Sequence, residues 1–219
     1  MTRFEAIKKS DEVEVYLEIG NNNLDEMGYT EHGVRHASLV AQISRNLLLR
    51  LGYNDELADL AAISGYLHDI GNVVSRHNHG QTGAMISYQV LKSLSFSDRD
   101  IATVISAIGN HEEDYGEPIS CISAALILAD KSDVHRTRVR NLHKDTFDIH
   151  DRVNYAVEHS FLRANEDKKT ITLELQIDTT IAPVMEYFEI FLTRMNQCRK
   201  AATYLGCKFV LMINETKLL

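Results

Sequence analysis

The chain has 219 residues, of which 44% are hydrophobic and 25% charged, and its net charge is −8 at pH 7. That length suits one large domain or a domain plus an appendage, and the composition is ordinary for a globular chain. The acidic balance excludes a broad basic face for extended nucleic acid but leaves room for a local basic cluster that holds phosphate. No apolar run reaches the ~18 residues that span a bilayer. No signal peptide is seen, and Cys121, Cys198 and Cys207 show no CxxC pairing. The expectation is a cytoplasmic protein with reduced thiols and no membrane partner.

Residues 3–18 carry a loose helical pattern through Phe4, Ile7, Val15 and Leu17, and Asn21-Asn22-Asn23 is expected to break it. Thr30-Glu31 opens a long helix with Val34, Leu39, Val40, Ile43, Leu47 and Leu51 on one stripe, stopped by Gly52. Asn54 is a good N-cap for the next helix, and Asp55 and Glu56 suit the positive end of its dipole. Leu57, Leu60, Ala61, Ser64 and Leu67 carry that helix to His68-Asp69. A polar loop from Gly71 to His79 follows. Two more helices are predicted, from about Gly80 to Ser93 and, capped by Ser97-Asp98, up to Asn110. Asp114 to Pro118 reads as a turn, and Ile119 to Asp133 as a strongly apolar helix.

The character changes near residue 150. Val153 to Leu162 partly alternates, Lys169 to Ile177 alternates cleanly, and Asn165-Glu166-Asp167 between them reads as a hairpin turn. Ile181 to Leu205 is helical again, and Cys207 to Ile213 is a short apolar run typical of a buried strand. The fold class expected is mostly α: a helical core over residues 1–150 and a small ββαβ appendage over 151–219. The appendage is expected to be one three-stranded antiparallel sheet with one helix packed on it.

The chemistry concentrates in His36, His68-Asp69 and Asp130. Adjacent His and Asp side chains can face one ion only if the helix ends or kinks there, and Gly71 is expected to supply that exit. Neutral imidazole and carboxylate together suit a divalent metal, which would activate water. A lone His-Asp pair means little, and a lone histidine is more often a surface or satisfied core residue than a ligand. The ordered set, each member at a helix end, is what carries weight. His135, His143, His150 and His159 read as surface residues.

The order His, His-Asp, Asp on successive helices resembles the HD superfamily of metal-dependent phosphohydrolases. The segments His79 to Ala84, Ala107 to His111, and Leu128 to Asp130 followed by Arg136 are similar to its symmetrical diadenosine tetraphosphate hydrolase branch. The resemblance covers about residues 30–140. It implies six metal ligands: His36, His68, Asp69, His79, His111 and Asp130. Asp69 would bridge two divalent cations drawn from Fe, Mn, Co or Mg. His36, His68 and Asp130 would hold one, and His79 and His111 the other. Asp69, His68 and Asp130 would carry the catalysis. His77 competes with His79, and His32 is near enough in sequence to reach the site.

A phosphohydrolase also needs cations to stabilise phosphoryl charge. Arg136, which matches the resembled branch, and Lys131 are the phosphate-binding candidates. Arg138 and Arg140 read equally well as a solvated helix face. Asp133, one turn after Asp130, is placed to orient a ligand histidine. Asn72 stands where related hydrolases often carry Lys or Arg after the His-Asp motif. The expected function is hydrolysis of a phosphate ester or anhydride of a nucleotide-like small molecule. Two alternatives share the ligand order: an HD-fold di-iron oxygenase, and a catalytically silent nucleotide-sensing or interaction domain. Strand Lys169 to Ile177 could pair across a homodimer axis.

Overall fold

The computed structural model describes residues 2–113 and 115–218, and Asp114 of the expected turn lies outside them. Helix α1 (Arg3–Lys8) and helix α2 (Asp11–Glu26) open the chain. The asparagine run does not end a helix; α2 continues through it, and the break falls at Lys9-Ser10. Tertiary contacts override the modest helix aversion of asparagine. Asn21 Oδ1 accepts from the His32 amide at 3.0 Å, Asn23 donates to the Val73 carbonyl at 3.3 Å, and Leu24 beyond them is buried.

Helix α3 (Val34–Arg50) begins at Gly33 rather than Thr30-Glu31, because the Glu31 carboxylate accepts from the Gly33 amide at 2.6 Å and so sits ahead of the first turn. Val40 and Leu47 of the expected stripe are buried beside Ala37, Ala41, Ser44 and Leu48, while Val34 is exposed. Gly52, at φ +81°, reverses the chain in the left-handed region. Asn54 caps helix α4 (Asp55–Leu67) as expected, accepting from the Leu57 amide at 2.9 Å. Helix α4 is buried from Leu60 to Leu67 and is the axis of the core. Around it pack α3, α6 (Asp98–Gly109), capped by Ser97, and α7 (Cys121–Ser132), which opens with a reciprocal Ser120–Ser123 capping box, while α5 (His79–Ser93) packs on α6 and on the 3-10 turn that follows α4.

The C-terminal part adds α8 (Ile149–Ala156), β1 (Val157–Asn165), β2 (Thr170–Ile177), α9 (Val184–Tyr204), β3 (Lys208–Ile213) and β4 (Thr216–Lys217). The start of the expected first strand is helical, because Asp148 caps it through the Asp151 amide at 2.8 Å. The sheet has the order β1-β2-β3-β4 and is mixed, not antiparallel and three-stranded. β1 and β2 form an antiparallel hairpin, but α9 carries the chain back across the sheet so that β3 lies parallel to β2. Asn214 and Glu215, both at positive φ, then turn the chain into the short strand β4. Ile171, Leu173, Leu175 and Ile177 point inward from β2 and join one core that runs from Ile7 to Ile213. The helical core with a small C-terminal sheet is the architecture read from the sequence. No helix among the described residues is long and apolar enough to cross a membrane.

Candidate metal centre

Four histidines meet from four places in the chain. His36 lies in the first turn of α3, His68 caps the C-terminus of α4, His79 is the first residue of α5, and His111 follows the end of α6. All four are buried. Helix α4 does stop at Leu67, which lets His68 and Asp69 face the same space. Gly71 is not a left-handed exit; the chain passes through it in a short 3-10 turn. Its role is clearance, since a Cβ there would sit 2.0 Å from the His79 carbonyl oxygen.

Each imidazole is pinned from behind through Nδ1. His68 meets the Gly65 carbonyl at 2.8 Å, His79 the Arg76 carbonyl at 3.0 Å, and His111 the Ile108 carbonyl at 2.6 Å. His36 meets Asp133 Oδ2 at 2.7 Å, so Asp133 orients it. Carbonyl and carboxylate oxygens only accept, so each Nδ1 donates and Nε2 is the ring atom turned inward, with a bare lone pair wherever a metal replaces its proton. These Nε2 atoms approach in pairs, His36 to His68 at 3.2 Å and His79 to His111 at 3.1 Å. Two lone pairs at that separation require positive charge between them.

Asp69 stands between the pairs. Its Oδ2 is 3.5 Å from His36 Nε2 and 3.3 Å from His68 Nε2, and its Oδ1 is 3.3 Å from His79 Nε2. That Oδ2 is buried with no hydrogen-bond partner. Asp130, near the end of α7, closes the first pair, with Oδ1 3.4 Å from His36 Nε2 and 3.6 Å from His68 Nε2. Ligand atoms of His36, His68 and Asp130 form one group able to hold an ion, and those of His68, Asp69 and His111 a second.

The electrostatics have the same direction. Burial disfavours charge on His68, but Asp69 and Asp130 beside it outweigh that and raise its pKa to about 10, so without a metal a proton is drawn into the gap. Burial alone would raise Asp69, yet the positive charge of His68 holds it well below the usual carboxylate value. Burial likewise opposes the Asp130 charge, and Lys131, with Nζ 2.6 Å from Oδ2, outweighs it. His111 is pushed well down by burial and by its histidine neighbours and stays neutral. An orphaned buried carboxylate oxygen, inward-facing lone pairs and a cavity that traps positive charge fit a divalent cation.

The HD domain model matches residues 33–177. The chain belongs to the HD domain family. It is similar to the uncharacterized protein MJ1020 of Methanocaldococcus jannaschii, at 23% identity over 211 residues, 85% of this chain and 79% of that protein. It is also similar to the crystal structure of a predicted HD superfamily hydrolase from an uncultured Thermotogales bacterium. That likeness has 21% identity and a TM-score of 0.46, over 62% of this chain and 75% of the other.

The HD centre opens into a cavity of about 410 Å³ lined in part by Tyr29, Arg76, Lys131 and Arg194. His32 and His77 line the same cavity, while the His32 ring is tied through Nδ1 to the Thr30 carbonyl at 2.6 Å. Arg136 is not brought there. Its guanidinium pairs with Glu158 at 2.9 Å and lies over the Tyr155 ring. Arg138 is buried and is spent on the carbonyls of Glu31 and Asp133. Asn72 donates to the Asp69 carbonyl and to its Oδ1, at 2.9 and 3.0 Å, so an amide steadies the carboxylate in place of a cation. Among the described lysines and arginines, Arg76 comes nearest that carboxylate, 3.9 Å from Asp69 Oδ1.

Sequence reasoning missed Arg76, Arg194 and Glu112. Glu112 accepts from the Gly80 amide at 2.5 Å and so links the His111 loop to the first turn of α5. Its neighbour His111 was the available signal, but a Glu-Glu-Asp run reads as solvated surface. Of the four histidines read as surface residues, His143, His150 and His159 are exposed and His135 is half-buried.

Proposed function

We propose that this chain is a metal-dependent phosphohydrolase acting on a nucleotide-like phosphate ester or anhydride. The observation that carries the reading is Asp69: one buried carboxylate offers Oδ2 to the His36–His68–Asp130 group and Oδ1 to His79 beside His111. Such a carboxylate suits two cations held close together, as an in-line displacement at phosphorus uses them. Two divalent ions drawn from Fe, Mn, Co or Mg would polarise the phosphoryl oxygens and lower the pKa of an attacking water. His36, His68 and Asp130 would hold one ion, His79 and His111 the other, with Asp69 shared.

The protein's own groups then have separate tasks. Asp133 keeps the His36 lone pair aimed inward, and carbonyl oxygens do the same for the other three rings. Lys131, Arg76 and Arg194 stand around the cavity where phosphoryl charge needs neutralising. A second hollow of about 330 Å³ shares Tyr29, Arg76 and Arg194 with the first and adds Met27 and Phe191, apolar walls suited to the nucleoside part. The catalytic unit proposed is residues 1–150, with Arg194 contributed from the 151–219 appendage.

The test is phosphate release from mononucleotides, dinucleoside polyphosphates and cyclic dinucleotides, using anaerobically purified protein loaded in turn with Fe²⁺, Mn²⁺, Co²⁺ or Mg²⁺. Turnover is expected to fall by about three orders of magnitude in Asp69→Asn, since the shared carboxylate acts on both ions in the transition state. Full activity in that variant, or turnover only with O₂, would overturn the reading.

A further inference from the structure

Helix α9 belongs to the appendage, yet one of its faces is spent on the loop that follows His111. Arg194 Nε donates to Glu113 Oε1 at 2.6 Å. Gln197 Nε2 donates to the carbonyls of Glu112 at 2.7 Å and Gly116 at 3.2 Å. Lys200 Nζ reaches Glu117 Oε1 at 2.5 Å, and Tyr204 donates to the Ile119 carbonyl at 3.1 Å. Positions 194, 197, 200 and 204 lie on one helical face, and together they grip this irregular segment along its length.

That segment is the weak side of His111. Behind His111 is the end of α6; ahead of it none of the described residues lies in a helix or strand until Cys121. Loop backbone holds a ligand in place only when something ties it down. Gln197 is the buried member of the row. The Glu112 carbonyl accepts from Gln197 and from the Gly116 amide, the latter at 2.9 Å, so both its lone pairs are used. The other end of the Gln197 amide, Oε1, is buried with no partner. A side chain that only filled space would carry no such cost. Glu112 in turn accepts from the Gly80 amide and lies 3.6 Å from His79 Nδ1, so the grip extends to the second histidine of that pair.

We propose that α9, through Gln197, is the positioning element for the His79–His111 half of the centre. The proposal rests on the two-cation reading above. The appendage thereby sets the affinity of the second cation, while the His36–His68–Asp130 half takes its ligands from α3, α4 and α7; α9 also packs on α7, but the hydrogen bonds of this row go to the 112–119 segment and not to those three helices. Gln197 acts through the Glu112 and Gly116 carbonyls and does not touch the ion.

The experiment is calorimetric titration of the metal-free full chain with Co²⁺, beside thermal melts of the same samples. The wild-type chain is expected to bind two equivalents. Gln197→Met is expected to weaken one of them by about 10–100-fold, the loss typical for a residue that orients a ligand, and to leave the other within about twofold. Gly116→Ala reaches the same loop from the opposite side, because its Cβ would meet the Glu112 carbonyl at 2.3 Å, and is expected to give the same selective loss. Unchanged affinities in both variants overturn the proposal. So does a purely structural outcome, with a lower melting temperature and both equivalents weakened in parallel. A wild-type chain that binds a single equivalent overturns the two-cation reading itself, and the proposal falls with it.

Discussion

The two halves of the centre are built differently. His36, His68 and Asp130 come from α3, α4 and α7, whose packing against one another is the core of the molecule. His79 and His111 adjoin irregular chain. His79 begins α5 directly after Asn78, whose φ of 56° is left-handed, and His111 starts a loop. Ligands on packed helices inherit the rigidity of the core, whereas ligands that adjoin irregular chain need separate ties. Those ties are visible: Glu112 to Gly80, Tyr115 to Asn78 at 2.5 Å, and the α9 face to the loop. In the proposed two-cation centre, one half takes its geometry from the packed helices and the other depends on hydrogen bonds beyond them.

The sharpest way to break the weaker half is Gly71→Ala. The new Cβ cannot coexist with the His79 carbonyl oxygen at 2.0 Å, so the start of α5 must move. A loss of about 1–3 kcal/mol in stability is expected from overpacking, together with loss of the His79–His111 cation; chemical denaturation and metal analysis measure both. Asp133→Asn attacks the other half. It weakens the hold on His36 Nδ1 and is expected to lower metal affinity by about 10–100-fold while sparing the second equivalent.

Arg76→Ala and Arg136→Ala separate the cavity from its surroundings. Arg76 lines the cavity and its loss is expected to raise KM about tenfold, the worth of a charge-assisted hydrogen bond. Arg136 is engaged with Glu158 and its loss is expected to leave KM unchanged. Steady-state kinetics on the best substrate decide between them. The smallest effect is at Asn54→Ala, which removes the α4 cap and is expected to cost about 1 kcal/mol of stability. Because α4 is locked in the core, the metal affinities should not change; a thermal melt and a metal titration check this.

The parts legible in the sequence were those with short-range causes. The Asn54 and Ser97 caps, the Gly52 stop and the β1–β2 hairpin all follow from a few neighbouring residues, and each is present. Asp133 was legible as a partner for a histidine because helical spacing puts it one turn from Asp130. The run Asn21-Asn22-Asn23 misled because its partners, His32 and Val73, lie outside α2. The parallel pairing of β3 with β2 was hidden because a strand's own residues do not record which way its neighbour runs. Arg136 looked like a phosphate ligand because it follows Asp130 closely, but the 3-10 turn at Arg136–Arg138 aims it at Glu158.

By itself the sequence determined the helices, their caps, the alternating strands and the ordered set of histidines and aspartates, since each depends on local periodicity or on the chemistry of single side chains. Only the tertiary structure decided that four Nε2 lone pairs meet around one carboxylate, and that Arg76 and Arg194 enter the cavity while Arg136 does not. It alone also decided that a helix from the appendage holds the loop after His111. Among these contacts, His36 meets His68 across 32 positions and Gln197 meets Glu112 across 85. They form only when burial of a shared core brings distant segments together, and no local pattern encodes which of them will meet.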